Sequence, residues 1–369
     1  MRLFGSKPEP PATEPTKEQV IEALRNVIEP DLHKDLVTLN MVKNVAACGG
    51  VARITIELTT PACPLKKKIE DDTRSAVMAV PGMKEVNVEF TANVTSRMGV
   101  DRPALKGLKN VLAITSGKGG VGKSTCTVNL AVALAQMGAR VGLLDCDVYG
   151  PDIPTMLGLK DKPEGTADRK FKPLERYGVK SMSIGYLVEE DAPIVWRGPM
   201  LHKVIEQFLK DVDWGEIDYL LVDMPPGTGD AQLSLSQLVP LTGAVIVTTP
   251  QDVALVDVKK AIAMFGQVKV GVLGIVENMS GYTCSHCGHL EPIFGEGGAE
   301  KLAVKYNVPV LGKVPLDPKV RVGGDRGAPI VVADPSSPQA AAFREIAGKL
   351  GQIVAVRNAT PAGGLPVLE

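Results

Sequence analysis

No stretch of this 369-residue chain reaches the roughly 18 consecutive apolar residues that a membrane-crossing helix needs. Residues 1–16 carry Pro8, Pro10, Pro11 and Pro15 and lack the apolar centre of a signal peptide. An excess of basic charge is missing too. The 41 Lys and Arg stand against 42 Asp and Glu, a net charge of −1, so nothing provides a general field for nucleic acid. The basic run Lys66-Lys67-Lys68 is short, is followed by Glu70, Asp71 and Asp72, and reads as a solvated helix face. Six cysteines are too few to be a disulfide scaffold at this length, so each is judged singly or as a metal ligand. No internal repeat is visible. These absences lead us to expect a cytoplasmic protein that works without nucleic acid or membrane.

The length suggests two domains. Residues 1–15 read as a disordered tail. Thr16 opens a helix with Gln19 three residues on, a capping-box pattern. Val20, Ile21, Leu24, Val27 and Ile28 line one face, and Pro30 ends it. A strand near Val42–Ala46, a turn at Gly49-Gly50 and an alternating strand over Val51–Leu58 follow. Residues 64–80 read as a helix, Pro81-Gly82 breaks it, and Val86, Val88 and Phe90 alternate again. Residues 16–96 thus form a small α+β domain, and 97–108 a linker. From 109 to 354 strands alternate with helices. The apolar runs 140–144, 217–222, 244–248, 270–276 and 310–314 read as buried strands, and 253–265 and 299–306 as helices. That is an α/β, doubly wound, mainly parallel sheet. From Gly351 the chain reads as a final helical turn or two and then a loose tail, with residues 355–369 flexible.

The strongest motif is Gly117-Lys118-Gly119-Gly120-Val121-Gly122-Lys123-Ser124-Thr125. An apolar strand at Val111–Ile114 precedes it and an amphipathic helix from Thr127 follows, as the P-loop pattern requires. Its glycines let several N–H groups turn toward phosphate oxygens, and the helix start adds partial positive charge. Lys123 would reach the β- and γ-phosphates of a nucleoside triphosphate, and Ser124 would ligate Mg²⁺. Lys118, directly after the first glycine, is either a solvated loop lysine or a phosphate contact. The K-G-G-V-G-K-[ST] form resembles the deviant Walker A ATPases, among them MinD, ParA and the nitrogenase iron protein. That resemblance implies that Lys118 contacts phosphate, often across a dimer that sandwiches two ATPs.

Two acidic clusters fall at strand ends, where ligands of open parallel sheets sit. One is Asp145-Cys146-Asp147. The other is Asp223, which opens Asp223-Met224-Pro225-Pro226-Gly227-Thr228-Gly229-Asp230. Asp223 ends an apolar strand, as a Mg²⁺-holding Walker B acid does, and the glycines after it would let the loop respond to the γ-phosphate. Each Asp could instead cap a turn. Cys146 reads as a small core residue. By the resemblance, Asp147 orients or activates the attacking water and Asp145 supports Mg²⁺ and the P-loop. The chain has no Asn-Lys dipeptide, which several kinds of guanine-binding P-loop protein carry. The resemblance instead implies that Asn278 hydrogen-bonds adenine, and hence ATP.

Cys284-Ser285-His286-Cys287-Gly288-His289 places two thiols at metal-ligand spacing in a loop on the ligand side of the sheet. A cubane cluster or tetrahedral zinc wants four ligands, and one chain offers two cysteines here. A homodimer bringing two such loops together supplies four, around one bridging [4Fe–4S] cluster. The rival is zinc held within one chain by Cys284, Cys287 and His286 or, with better geometry, His289. In the front domain Cys63 precedes Pro64, a residue suited to the first helical position. Cys63 would then sit at a helix start that favours a thiolate, or be a small buried residue without chemistry.

Residues 29–37 with Thr60-Pro61-Ala62-Cys63-Pro64 resemble the SufT/PaaD-type domain linked to iron–sulfur assembly, which implies Cys63 as a metal or cluster contact. The P-loop, Asp145-x-Asp147-Val148-Tyr149-Gly150-Pro151, Trp196-Arg197-Gly198-Pro199-Met200, Asp223–Asp230 and Glu277-Asn278-Met279-Ser280 together resemble the Mrp/ApbC family of iron–sulfur cluster carrier ATPases. The family has Cys-Pro-His-Cys in many members where this chain has Cys-Ser-His-Cys. The resemblance implies an ATP-hydrolysing homodimer with apo iron–sulfur proteins as recipients and cluster scaffold proteins as donors. A MinD/ParA-like positioning ATPase and a zinc metallochaperone are the alternatives. The residues 357–369 hold one basic side chain and too many prolines and glycines for a basic amphipathic helix.

Overall fold

The computed structural model describes residues 14–96, 105, 107–148, 150–168, 170–188, 198–284 and 286–360. The chain divides between Asn93 and Val94 into two compact units. In the first, helix α1 (Lys17–Leu24) starts as expected. The Thr16 hydroxyl accepts from the Gln19 N–H at 3.3 Å and the Gln19 carboxamide accepts from the Thr16 N–H at 2.9 Å. A short antiparallel pair, β1 (Ile28–Glu29) and β2 (Lys34–Asp35), precedes the hairpin of β3 (Val42–Cys48) and β4 (Val51–Leu58). Helix α2 (Lys66–Met78) then crosses to β5 (Glu85–Ala92), which pairs parallel with β4. Ala52, Ile54, Ile56 and Leu58 alternate inward, onto Val20, Leu24, Ile69 and Val77.

Both helices are shorter than the sequence suggests. Helix α1 stops at Leu24, and Val27 is buried from the chain beyond it. Helix α2 starts at Lys66, not Pro64, because residues 63–66 make a tighter turn in which Lys66 N–H donates to the Cys63 carbonyl at 3.4 Å. Lys66, Lys67 and Lys68 lie exposed, the solvated face expected of them.

The second unit is a nine-stranded sheet. Its elements run β6 (Leu108–Thr115), α3 (Lys123–Gln136), β7 (Val141–Asp145), α4 (Ile153–Leu157), β8 (Leu174–Arg176), β9 (Val179–Ser183), α5 (Gly198–Lys210) and β10 (Ile217–Asp223). Then come α6 (Asp230–Leu238), β11 (Gly243–Thr248), α7 (Asp252–Gln267), β12 (Val272–Thr283), β13 (Leu290–Glu291), α8 (Gly298–Tyr306), β14 (Val310–Leu316), α9 (Pro318–Asp325), α10 (Ile330–Ala333) and α11 (Pro338–Ala359). The parallel strands stand in the order β14-β12-β11-β6-β10-β7-β9, with β8 and β13 antiparallel at the ends. Strands β6, β7, β10 and β11 are apolar almost throughout, as strands covered on both faces must be. Val111, Ala113, Leu220, Val222 and Ile246 share one core with Phe208, Leu235, Val258 and Phe265 from α5, α6 and α7.

The order inserts β10 between β6 and β7, so Asp223 pairs with Ile114 on one side and Asp145 on the other. That topology, not sequence proximity, gathers the phosphate loop and both acidic clusters at one sheet edge. Three boundaries move. Val94–Ser96 belong to the second unit, where the Thr95 carbonyl accepts from Asn110 at 3.0 Å and the Ser96 hydroxyl donates to the Lys109 carbonyl at 2.6 Å. Of the expected linker, 97–104 and 106 lie outside the described residues. The expected flexible tail from 355 is instead the last turn of α11. Ala355 and Val356 are buried there, and Asn358 donates to the Thr95 carbonyl and the Asn110 side-chain oxygen. Gly348 and Gly351 lie buried inside that helix and do not stop it. Strand β12 runs through Asn278 to Thr283 instead of ending at 276. Residues 1–13, most of the expected N-terminal tail, and 361–369 lie outside the described residues. Among the described residues no helix is long and apolar enough to cross a membrane.

Candidate functional site

The expected phosphate loop leaves β6 at Thr115 and enters α3 at Lys123. Gly120 and Gly122 have φ of 79° and 81°, in the left-handed region where a side chain is strained. Gly117 is required by space. A Cβ there would lie 2.5 Å from the backbone carbon of Asp257 on α7. Gly119 and Gly120 face open space, as a loop that admits a ligand to its backbone should. The Ser116 carbonyl accepts the Gly227 N–H at 3.0 Å, tying the loop after β10 to the base of the phosphate loop.

Asp223 is the hub. It is fully buried, and its carboxylate accepts from the Lys123 ammonium at 2.6 Å, the Ser124 hydroxyl at 2.7 Å and the Thr127 hydroxyl at 2.6 Å. Burial works against the charge on Lys123, but Asp223 and then Asp147, at 3.5 Å, outweigh it and raise its pKa. Asp147 is raised by its own burial, which the Lys123 charge only partly offsets. Asp145 is pushed well up by complete burial beside Asp223, against the pull of a 2.7 Å hydrogen bond from Ser183 and one from the Asp147 N–H at 3.0 Å. A hydroxyl and carboxylate oxygens converging beside a buried ammonium are the donor set of a Mg²⁺-bound polyphosphate. Ser124 and Asp223 fit the metal, and Lys123 and the glycine-loop N–H groups fit the phosphates.

Lys118 is half-exposed, and among the described residues its ammonium makes no ion pair. Its carbonyl accepts from the Ser116 hydroxyl at 2.9 Å. Asn278 is buried and donates to the Val121 carbonyl at 2.8 Å. Thr125 is half-buried on the first turn of α3. Cys146 is a buried core residue, as expected. Tyr149, Trp196 and Arg197, which carried part of the resemblance, lie outside the described residues. Three contributors escaped the sequence reading. Thr127 and Ser183 are ordinary hydroxyls whose roles appear only when the sheet brings Asp223, at the end of β10, and Asp145, at the end of β7, near them. Gln232 on α6 donates to the buried Thr115 hydroxyl, and its own carbonyl oxygen meets no partner among the described residues.

The cysteine pair sits at the tip of the β12–β13 hairpin. The Cys284 N–H donates to the His289 carbonyl and the Gly288 N–H to the Cys284 carbonyl, both at 2.9 Å. This tight turn aims the His286 and Cys287 N–H groups and the Cys287 thiol at the Cys284 sulfur, and these bonds lower its pKa. Cys287 is exposed and Cys284 half-exposed. The His289 ring faces Glu291 at 3.4 Å. Among the described residues no third His, Cys, Asp or Glu joins the two thiols as a metal-binding group. Cys63 differs on each count. It lies before the helix rather than at its cap, packs against the first unit's core, and is pushed up to about 11, chiefly by burial.

A phosphate loop between a buried strand and helix, facing carboxylates on two neighbouring strand ends, defines a P-loop nucleotide-hydrolase fold. The chain belongs to the family described as NUBPL iron-transfer P-loop NTPase, whose model matches residues 107–351. The family model described as iron–sulfur cluster assembly protein matches 17–90. Proteins named iron–sulfur cluster carrier protein are similar along nearly the whole length. That of Deinococcus radiodurans is 52% identical, covering 92% of this chain and 96% of the relative. That of Escherichia coli K12 is 44% identical, covering 91% and 92%. Among solved structures, a nucleotide-binding protein of Archaeoglobus fulgidus in complex with ADP is 41% identical with a TM-score of 0.57, covering 64% of this chain and 93% of that one. The cell-division ATPase MinD of Pyrococcus furiosus is 26% identical with a TM-score of 0.51, covering 66% and 98%.

Proposed function

We propose that this protein is an ATP-hydrolysing carrier that holds a [4Fe–4S] cluster between two copies of itself and passes it to apo-proteins. Scaffold proteins would be the donors. The observation that carries the reading is the hairpin tip. It presents two accessible thiols, one with a lowered pKa, on the same unit as the Lys123, Ser124 and Asp223 cluster that fits a Mg²⁺-bound polyphosphate. Two such tips supply the four thiolates that the cargo needs, and one tip does not. Relatives with the carrier name, one of them 52% identical, support the same reading.

In this account Lys123 and the N–H groups of residues 117–125 bind the phosphates. Ser124 and Asp223 would hold Mg²⁺, which would supply positive charge against the phosphates. Asp147 would orient the attacking water, Asp145 fixes Asp147 by accepting from its N–H, and Asn278 would meet adenine, as the family resemblance implies. Lys118, without an ion pair among the described residues, would reach phosphate in its own or the partner's site. Cys63, packed against the core of the first unit, is left outside this ligand set.

Anaerobic reconstitution of wild type and a Cys284→Ala/Cys287→Ala variant tests the assignment. We expect one cluster per two chains in the first and none in the second. Equal iron and sulfide in both would reject the ligands, and stoichiometric zinc without sulfide would favour the metallochaperone.

A further inference from the structure

Strand β12 touches both sites. Asn278 holds the Val121 carbonyl at 2.8 Å, and a Cβ on Gly122 would lie 2.3 Å from the Asn278 amide nitrogen and 3.7 Å from the Met279 methyl. The phosphate loop therefore rests directly on residues 278 and 279. One residue earlier, Glu277 is fully buried. It accepts from the Ser280 hydroxyl at 2.7 Å and the Ala299 N–H at 2.9 Å, with the Lys313 ammonium 3.8 Å away. Between Asn278 and Tyr282 the pairing with β14 slips. Met279 has φ 56° and Gly281 φ 77° in that irregularity. A methionine in the left-handed region costs energy and persists only where its surroundings enforce it. Past this kink the strand runs straight into Cys284.

The Val121 carbonyl and the Gly122 N–H belong to one rigid peptide plane. Capture of a phosphate oxygen by that N–H acts on the same plane whose carbonyl Asn278 holds. We infer that Glu277 is a positioning residue which, through Ser280 and the kink at 279–281, sets how the Cys284–Cys287 tip is presented, with Asn278 linking that kink to the phosphate loop. Nucleotide occupancy thereby changes access to the two thiols. The inference rests on the proposed reading of both sites, but not on the cluster itself.

The test is alkylation of the full-length, metal-free protein, read cysteine by cysteine by mass spectrometry, with and without Mg·ATP. Exposed Cys48 of the first unit is the internal reference. In wild type the rate at Cys284 and Cys287, relative to Cys48, is expected to change about fivefold, the lower range of allosteric couplings. Glu277→Ala is expected to abolish the change while ATP affinity stays within about twofold. Glu277→Gln, whose oxygen can still accept from Ser280, should restore much of it. Should Glu277→Ala fail to fold, Ser280→Ala removes only the hydroxyl and should shrink the change alike. A wild-type ratio indifferent to ATP, or an undiminished response in Ser280→Ala or in a folded Glu277→Ala, overturns the inference. Iron and sulfide uptake is measured separately. A protein that loads cluster but shows no change loses this inference alone, and one that shows the change without loading loses only the carrier reading.

Discussion

At the scale of single residues the nucleotide site is a problem of buried charge. Asp223 is tolerated in the core because an ammonium and two hydroxyls surround it, and removing any of them strands part of the carboxylate. Thr127→Val deletes one donor without changing shape. A hydrogen bond to a charged group is worth about 1.5–3 kcal/mol, so the denaturation midpoint should fall correspondingly and Mg·ATP hydrolysis with it. The cysteines invite a pH test. Burial raises Cys63 to about 11, so its thiolate share, and with it its alkylation rate, should climb about tenfold per pH unit from pH 7 to 10 without levelling. Cys284, lowered by hydrogen bonds to its sulfur, should level off below the ordinary thiol range. A Cys63 rate that levels near pH 8 would contradict the burial seen in the first unit.

At the scale of elements, α11 shows how a helix can be mistaken for a tail. Ending the chain after Val354 removes the buried Ala355 and Val356 and the Asn358 bonds to Thr95 and Asn110. Burying one valine is worth about 1.5–3 kcal/mol, so this truncation should lower the melting temperature by about 5 °C or more. The prolines and glycines beyond residue 360 pointed the other way, since local signals carry no information about what packs against residues 355–359. Elsewhere local chemistry sufficed. The capping box at Thr16, the alternation of β4 and the glycine loop before α3 are all readable from neighbouring residues. Asp145, Asp147 and Asp223 were legible because strand ends are marked by the switch from apolar to acidic. Thr127 and Ser183 were not, because their partner carboxylates lie on strands distant in sequence. Strand β12 was cut short in the sequence reading because Asn278, Ser280 and Gly281 are poor strand formers, and its pairing with β14 carries it past them.

At the scale of the whole molecule, the proposed carrier is incomplete alone, since one chain brings two thiols. Co-expressing wild type with the Cys284→Ala/Cys287→Ala variant should give mixed dimers that load no stable cluster, measured by iron and sulfide after separating the pairs by tag. If ATP alters the hold of the tip on its cargo, linkage requires loading to alter ATP affinity by the same factor, a comparison of two binding isotherms. The strand order has a consequence for synthesis. Strand β6 carries the phosphate loop at its end, yet both of its sheet neighbours, β10 and β11, are made later, the second finishing at Thr248. A nascent polypeptide ending near residue 210 therefore spells out the whole glycine motif while lacking any pocket. Fuel cannot stabilise the growing chain until the ribosome has delivered the middle of the sheet, so this protein must pass through a long stretch of translation in which its most recognisable sequence is chemically silent.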